Sequence, residues 1–402
     1  MTNSKATGPL TDTRVVEMGT LIAGPFCGQL LGDFGAEVIK IEDPAKGDPM
    51  RGWGRASPEG VSLWWPVIAR NKKSVTLNLR EAEGQDLARK LIAKADVVTE
   101  NFRPGTLEKW GLDYAPLSAG QPRLIMARIS GYGQTGPYKD RAGFGAVGEA
   151  MGGLRYVTGE PDRPPARAGI SIGDSLAATY ATLGILMALH HRSNTGQGQM
   201  VDSALYEATF AMMENLVTDY DKAGYIRERT GSYLPKIAPS NIYPCAGGEM
   251  VLIAANQDGV FRRLAEVMGM PGLADDPLYA THYARGEVQA QLDALIAGWS
   301  QDRAADDILA KLNAGGVPAG RIYRAPEMLA DPHYAARKAI IDVAHPVLGS
   351  VKMQGTFPKL SATPGDVRWP GPALGEHNEE VWGGLVGLST SQIADLKARS
   401  LI

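Results

Sequence analysis

The sequence predicts an α/β protein, with a large Rossmann-like domain on a parallel sheet and a smaller α+β domain. Three observations lead there. Strand-like and helix-like segments alternate as far as residue 129, a long Gly- and Pro-rich passage follows from residue 131, and past residue 225 the elements resume with a different character.

Arg14–Met18 reads as a strand, Gly24–Phe34 as a small-residue helix and Glu37–Glu42 as a second strand, which together make one βαβ unit. Ser74–Leu79 is the next strand, Glu81–Lys94 carries helical periodicity, and Asp96–Glu100 and Arg123–Ile129 are further strands. This alternation builds a mostly parallel sheet with helices on both faces. Gly131–Gly173 has few periodic positions and is too long for a routine connection, so it is functional or disordered. Ser175–His191 is a helix whose apolar residues leave no clear polar face, and burial is expected. Thr195–Gln199 is a turn and Tyr206–Tyr220 another helix. Beyond an irregular stretch, Ile226–Cys245, come a strand at Glu249–Ala254 and helices at Gly259–Met268 and Glu287–Trp299. Arg321-Ile322-Tyr323 reads as an edge strand because a proline precedes it.

Composition narrows the function classes. The 402 residues carry 41 Lys and Arg against 44 Asp and Glu, a net charge of −3, which argues against a protein that holds nucleic acid by bulk electrostatics. An anionic ligand must then be met by a local patch. Cys27 and Cys245 stand far apart with no Cys-x-x-Cys or Cys/His cluster, so neither a disulfide framework nor a zinc site is indicated. The Met1–Leu10 stretch is polar and no uninterrupted aliphatic run approaches membrane-spanning length, so a cytoplasmic protein without membrane association is expected.

The first βα turn, Gly19-Thr20-Leu21-Ile22-Ala23-Gly24-Pro25, lacks the Gly-x-Gly-x-x-Gly spacing that brings backbone against a pyrophosphate, which favours a Rossmann-like sheet without a nicotinamide cofactor. Adjacent His190 and His191 point about 100° apart on a helix and do not form a metal pair. Gly173-Asp174, at the start of the apolar helix, admits two readings. Asp is a favoured N-cap, and a carboxylate at a helix N-terminus beside a Gly-rich loop is also a placed nucleophile. Spacing alone does not separate them. A basic cluster, Lys72, Lys73, Arg80, Arg103 and Lys109, falls where strands end or helices begin, suited to a phosphorylated ligand or equally to a solvated face.

Several longer motifs now bear on these alternatives: Ala23-Gly24-Pro25, Gly35-Ala36-Glu37-Val38-Ile39-Lys40-Ile41-Glu42, Asn71-Lys72-Lys73-Ser74, Glu100-Asn101-Phe102-Arg103-Pro104-Gly105, Ile172-Gly173-Asp174 and Thr195-Gly196-Gln197-Gly198-Gln199. In order and spacing they resemble the class III coenzyme A transferase family, which includes formyl-CoA transferase, the carnitine CoA-transferases and the α-methylacyl-CoA racemases. Gly316-Val317-Pro318-Ala319-Gly320, Asp331-Pro332, His345-Pro346 and Leu374-Gly375-Glu376-His377 extend the resemblance over nearly the whole chain.

The resemblance implies a large domain from residues 1–200 completed by a return segment, 326–402, with a linker at 201–224 and a small α+β domain at 225–325. It also implies an interlocked homodimer, CoA thioesters and small carboxylic acids as substrates, and no permanently bound cofactor. Leu77, Asn78, Leu79, Arg80, Asn101, Phe102, Arg103 and Lys109 match the family's CoA contacts, joined here by Lys72 from the basic cluster. Asp174 matches the family's catalytic aspartate, which attacks the donor thioester to give a mixed anhydride and then an aspartyl-CoA thioester.

Departures narrow the choice. Racemases of the family carry a His where Phe144 stands, so one base of a two-base proton exchange is missing. Formyl-CoA transferases place a Gln at the position of Ile22, a Glu at that of Gly145 and a nucleotide-contacting Arg at that of Asp43. The stretch Thr230–Ser240 most resembles the succinyl-CoA-dependent dicarboxylate branch, with Arg227, Arg229 or Lys236 as candidates to pair with a distal carboxylate.

Overall fold

The computed structural model describes residues 7–402, so the start of the Met1–Leu10 stretch lies outside the described residues. Two compact units divide the chain. One comprises residues up to Arg155 with Ala168–Val217 and His333–Ile402, and the other Tyr156–Arg167 with Thr218–Pro332.

The first unit is built on six strands: β1 (Arg14–Glu17), β2 (Glu37–Glu42), β3 (Lys72–Thr76), β4 (Val97–Glu100), β5 (Ile125–Ser130) and β6 (Met200–Ala204). They are parallel throughout, in the order β3-β2-β1-β4-β5-β6. Because successive side chains face opposite sides, Val16, Ile39, Val98 and Met126 enter one core while Val15, Val38, Val97 and Ile125 enter the other. Helix α1 (Ala23–Asp33) covers the second face, and α2 (Ala82–Ile92) covers the first with Leu87, Leu91 and Ile92. A short helix, α3 (Thr106–Trp110), follows β4.

The passage Gly131–Gly173 contains helix α4 (Gly145–Met151) and a single helical turn at Leu154–Val157. Helix α5 runs Ile172–Thr195, three residues earlier and four later than the sequence suggests. The expectation that it is buried all round needs correction. Its inward stripe is alanine-rich, with Ala177, Ala181, Ile185 and Ala188 fully buried, and this lets the helix lie close on α1, where the Thr182 hydroxyl meets Cys27 Sγ at 3.3 Å. Its larger residues take the other side, where Leu183, Leu186 and Met187 are exposed, Met187 at 60%. By length and composition α5 is apolar enough to cross a membrane, but its alanine stripe packs in the same core as β4 and β5.

Strand β6 went unread because Asp202 and Ser203 interrupt its apolar run. Both are used: Asp202 Oδ2 accepts the Gln134 N–H at 2.8 Å, and Ser203 Oγ donates to the Ala177 carbonyl at 3.0 Å. The helix expected over Tyr206–Tyr220 is two, Leu205–Phe210 and Leu216–Ala223, separated by a segment in which Glu214 adopts a left-handed conformation.

The second unit holds an antiparallel sheet, β7 (Ser240–Pro244), β8 (Met250–Ala254) and β9 (Ala319–Arg321), with β8 central. Strand β7 lies in the stretch expected to be irregular, and β9 is the edge strand, two residues ahead of its expected position. Helices α6 (Asp258–Val267), α7 (Gln289–Ser300) and α8 (Ala305–Ala314) close the core with Phe261, Leu264, Leu292, Ile296, Ile308 and Leu312.

The chain then returns to the first unit as a hairpin, β10 (Ile340–His345) and β11 (Gly349–Gln354), and ends in α9 (Thr390–Ala398). Residues 366–378 cover the exposed edge of β3. The Trp369 indole donates to the Lys72 carbonyl at 3.0 Å, Asn378 Oδ1 accepts the Thr76 N–H at 2.9 Å, and His377 Nδ1 accepts the Ser74 N–H at 3.2 Å. An unprotected edge would invite pairing with another strand.

Burial holds the His377 imidazole below its ordinary value of 6.5, and only the neutral ring can accept at Nδ1. The folded state therefore disfavours the protonated ring, so its contribution to stability is complete above 6.5 and is lost as the pH falls below it. Thermal midpoints are expected to decline from there toward about pH 5, and His377→Asn, which keeps an acceptor without titrating, removes part of that slope. An unchanged slope in the variant would place the decline elsewhere.

Candidate active site

The loops after β1 and β2 are fixed by charges buried beneath them. Glu17 ends β1, and its carboxylate lies 2.9 Å from Lys40 Nζ on β2 and 2.8 Å from Lys72 Nζ on β3. Lys40 also meets Asp48 at 2.9 Å and donates to the Gly19 carbonyl at 2.7 Å, while Lys72 donates to the Pro25 carbonyl at 2.6 Å. Arg51 makes a two-pronged pair with Glu42, each bond 2.7 Å. Helix α1 passes so close that a Cβ on Gly28 would collide with the Glu17 carboxylate.

Lys72 is thus a correction. Strand β3 begins two residues earlier than the sequence suggests, which turns Lys72 into the sheet with no exposed surface, and burial pushes its ammonium below the usual lysine range. It neutralises Glu17 and is unavailable to a phosphate. Lys72→Ala is expected to cost about 3–5 kcal/mol of stability, because it leaves Glu17 buried with half its compensation. Urea midpoints check this, and CoA affinity in the variant that still folds should be nearly unchanged.

Above this network is a cleft of about 250 Å³ at the carboxyl ends of β1, β2 and β3, where open parallel sheets bind ligands. Leu77, Asn78, Leu79, Arg80 and Phe102 line it, which brings together five of the expected contacts. Asn101, Arg103 and Lys109 do not. The Asn101 amide is committed to Thr20, accepting its N–H at 2.8 Å and donating to its carbonyl at 2.9 Å, so it positions a loop that lines the cleft. Arg103 is exposed and donates to the Asp140 carbonyl at 3.0 Å; Lys109 is exposed on α3. Beneath Phe102, Glu100 accepts its N–H at 2.7 Å and pairs with Arg128 at 2.8 Å; burial, opposed by Arg128, pushes this carboxyl up to about 7. Trp110, edge-to-face with Phe102 at 5.3 Å, also lines the cleft and was not among the expected contacts. Asp43, which stands where the formyl-CoA transferases carry a nucleotide-contacting Arg, lines it as well, directly after β2.

Asp174 does not line this cleft. It is the third residue of α5, behind an N-cap at Ser171, so the capping alternative does not hold. Its carboxylate lies directly over Gly145, the first residue of α4. A Cβ there would overlap Oδ2 and stand 2.8 Å from Cγ. A Cβ on Gly173 would likewise press on the Gly145 carbonyl at 2.9 Å and on Glu149 Cγ at 3.2 Å. Two helix N-termini thus meet through glycines around one carboxylate, and the dipole of a 24-residue helix favours its ionised, nucleophilic form. Glu149, itself buried, is tied to Arg155 at 3.0 Å. Phe144, at the N-cap of α4, is 56% exposed and offers no base. Among the described residues no cluster of acidic, His or Cys side chains is arranged to hold a metal.

Residues 10–378 match CoA-transferase family III. The chain belongs to that family. It is 59% identical over 402 residues, the full length of both proteins, to the succinyl-CoA–D-citramalate CoA-transferase of Chloroflexus aurantiacus. It is 40% identical, again over the full length of both, to the beta subunit of that organism's succinyl-CoA–L-malate CoA-transferase. Among solved structures, a CaiB/BaiF family protein from Brucella suis superposes with a TM-score of 0.83 at 37% identity, covering 94% of this chain and all of the other.

The three cations that the sequence suggests for pairing with a distal carboxylate are engaged within the second unit. Arg229 donates to the Tyr156 and Glu160 carbonyls at 2.9 and 3.3 Å, Arg227 lies 3.5 Å from Asp219, and Lys236 pairs with Glu287 at 2.5 Å on an exposed surface. Arg229 braces the 156–167 segment, and Lys236–Glu287 is a surface pair of small energetic weight.

Proposed function

We propose that this CoA-transferase moves CoA from succinyl-CoA to a dicarboxylic acid of the citramalate or malate type, with Asp174 as nucleophile. The observation that carries the reading is the Asp174 carboxylate held against Gly145 at the N-terminus of α5. Its oxygen attacks the thioester carbonyl carbon. The C–S bond breaks, CoA leaves as the thiolate with the electron pair, and an aspartyl–succinyl anhydride remains. The thiolate then attacks Cγ of Asp174, releasing succinate and leaving an aspartyl-CoA thioester. The acceptor carboxylate attacks the same Cγ, expels the thiolate and forms a second anhydride, whose acceptor carbonyl the thiolate attacks to regenerate the aspartate. No net proton is exchanged. Splitting one transfer into short covalent steps is the general advantage of nucleophilic catalysis.

The choice of acids rests on full-length identity to relatives named for succinyl-CoA with citramalate or malate. The working unit is an interlocked homodimer in the cytoplasm. Supporting the dimer, α5 and the following segment leave Leu183, Met187, Phe210 and Met212 exposed, apolar area of a kind that monomers seldom leave to water. The test is a panel of acids with succinyl-CoA, following new thioesters by mass. Dicarboxylates are expected to exceed monocarboxylates of equal length by about tenfold or more in kcat/KM, since an unpaired site group penalises the shorter-handed acid. Equal turnover would overturn the dicarboxylate assignment, and no new thioester with any acid would overturn the transferase reading.

A further inference from the structure

Helix α4, which meets the N-terminus of α5 at Asp174, carries a buried ion pair that the transfer steps leave unused. Glu149 stands one turn along α4 from Gly145 and on the same side of it, so the helix face that receives the Asp174 carboxylate also presents Glu149. Glu149 is 1% exposed, and its Cγ rests against Gly173, the residue before Asp174. Its Oε2 accepts from a terminal nitrogen of Arg155 at 3.0 Å. The rest of the pair is open: among the described residues Glu149 Oε1 and Arg155 Nε are buried without partners. Elsewhere in this unit a buried carboxylate closes the arginine fork. Arg51 gives Nε and a terminal nitrogen to Glu42, and Arg70 gives the same two to Asp33. An arm left open in a buried pair is unfavourable and calls for a reason.

We propose that Arg155 recognises the second carboxylate of the acid in both half-reactions, with Glu149 as its positioning residue. It takes the free carboxylate of succinyl-CoA when the first anhydride forms and the distal carboxylate of the acceptor when the second forms. This rests on the dicarboxylate reading above and names the residue that makes the selection. Charge requires such a group. Asp174 and Glu149 bring two carboxylates to the meeting helix ends, and a further carboxylate on the incoming acid is repelled there unless a cation answers it. Arg155 lies one ion pair beyond Gly173 and its side chain is 26% exposed, so a guanidinium arm that Glu149 does not hold can make a charge-assisted bond to a carboxylate. Succinate and malate carry their two carboxyls the same number of carbons apart, so one fixed cation serves donor and acceptor alike.

The test measures two ratios. One is the rate of enzyme thioester formation, without acceptor, from succinyl-CoA against butyryl-CoA. The other is kcat/KM for malate against 3-hydroxybutyrate, which has a methyl in place of one carboxylate. In the wild type both are expected to favour the dicarboxylate by about tenfold or more, the worth of a charge-assisted hydrogen bond. Arg155→Gln should bring both close to one. Because that change leaves Glu149 buried without its counter-ion, Arg155→Gln combined with Glu149→Gln, which removes both charges together, is measured beside it and should give the same two ratios. A brace that never touches substrate would slow mono- and dicarboxylates alike and leave the ratios standing. Either ratio surviving in a folded variant would overturn the proposal while leaving the dicarboxylate assignment intact, and a wild type with no preference at either step would overturn both.

Discussion

Asp174→Ala is expected to lose CoA exchange by about a thousandfold or more in kcat, while still binding CoA at the cleft. The two functions separate because Asp174 does not line the cleft, so its removal leaves Leu77, Arg80 and Phe102 in place. Nor should folding suffer greatly, since the N-cap of α5 is Ser171 and the alanine stripe that seats the helix lies further along it. Single-turnover rates with succinyl-CoA, set beside CoA binding by calorimetry, check both halves. Exchange at near wild-type rate in the variant would exclude Asp174 as nucleophile.

Gly145→Ala tests the geometry without touching the nucleophile. The added methyl would occupy the space of the Asp174 carboxylate, overlapping Oδ2 and reaching 2.8 Å from Cγ, so the carboxylate must swing aside. A displacement of about 1 Å at a reacting atom can cost roughly a hundredfold in rate, and that loss is expected in kcat with the KM for succinyl-CoA little changed. An unaltered kcat in Gly145→Ala would show that the carboxylate acts from another position.

Much of this was legible from residues alone where one physical signal dominated. Parallel strands buried on both faces read as runs such as Val15-Val16 and Val38-Ile39, and five of the six strands of the large sheet announced themselves that way. Strand β6 did not, because its Asp202 and Ser203 satisfy backbone groups on a distant loop and on α5. Lys72 misled for a related reason. In an Asn-Lys-Lys-Ser run it resembles a solvated cation, and only the lateral register that brings Glu17, Lys40 and Lys72 together reveals a buried pair. The exposed side of α5 was equally hidden: composition reports that a helix is apolar all round, but only the stripe of alanines with Ile185 is buried in the core. At the site, Asp174 stood out by motif, whereas Gly145 and Asp43 acquire meaning from partners far along the chain.

The most direct measurement of the central claim is peptide mapping by mass after incubating the protein with succinyl-CoA and no acceptor. A CoA thioester is expected on the peptide containing Asp174, converted to the hydroxamate by hydroxylamine and discharged by adding the acceptor acid. Label on a different residue, or full exchange with no covalent species at any time point, would contradict it.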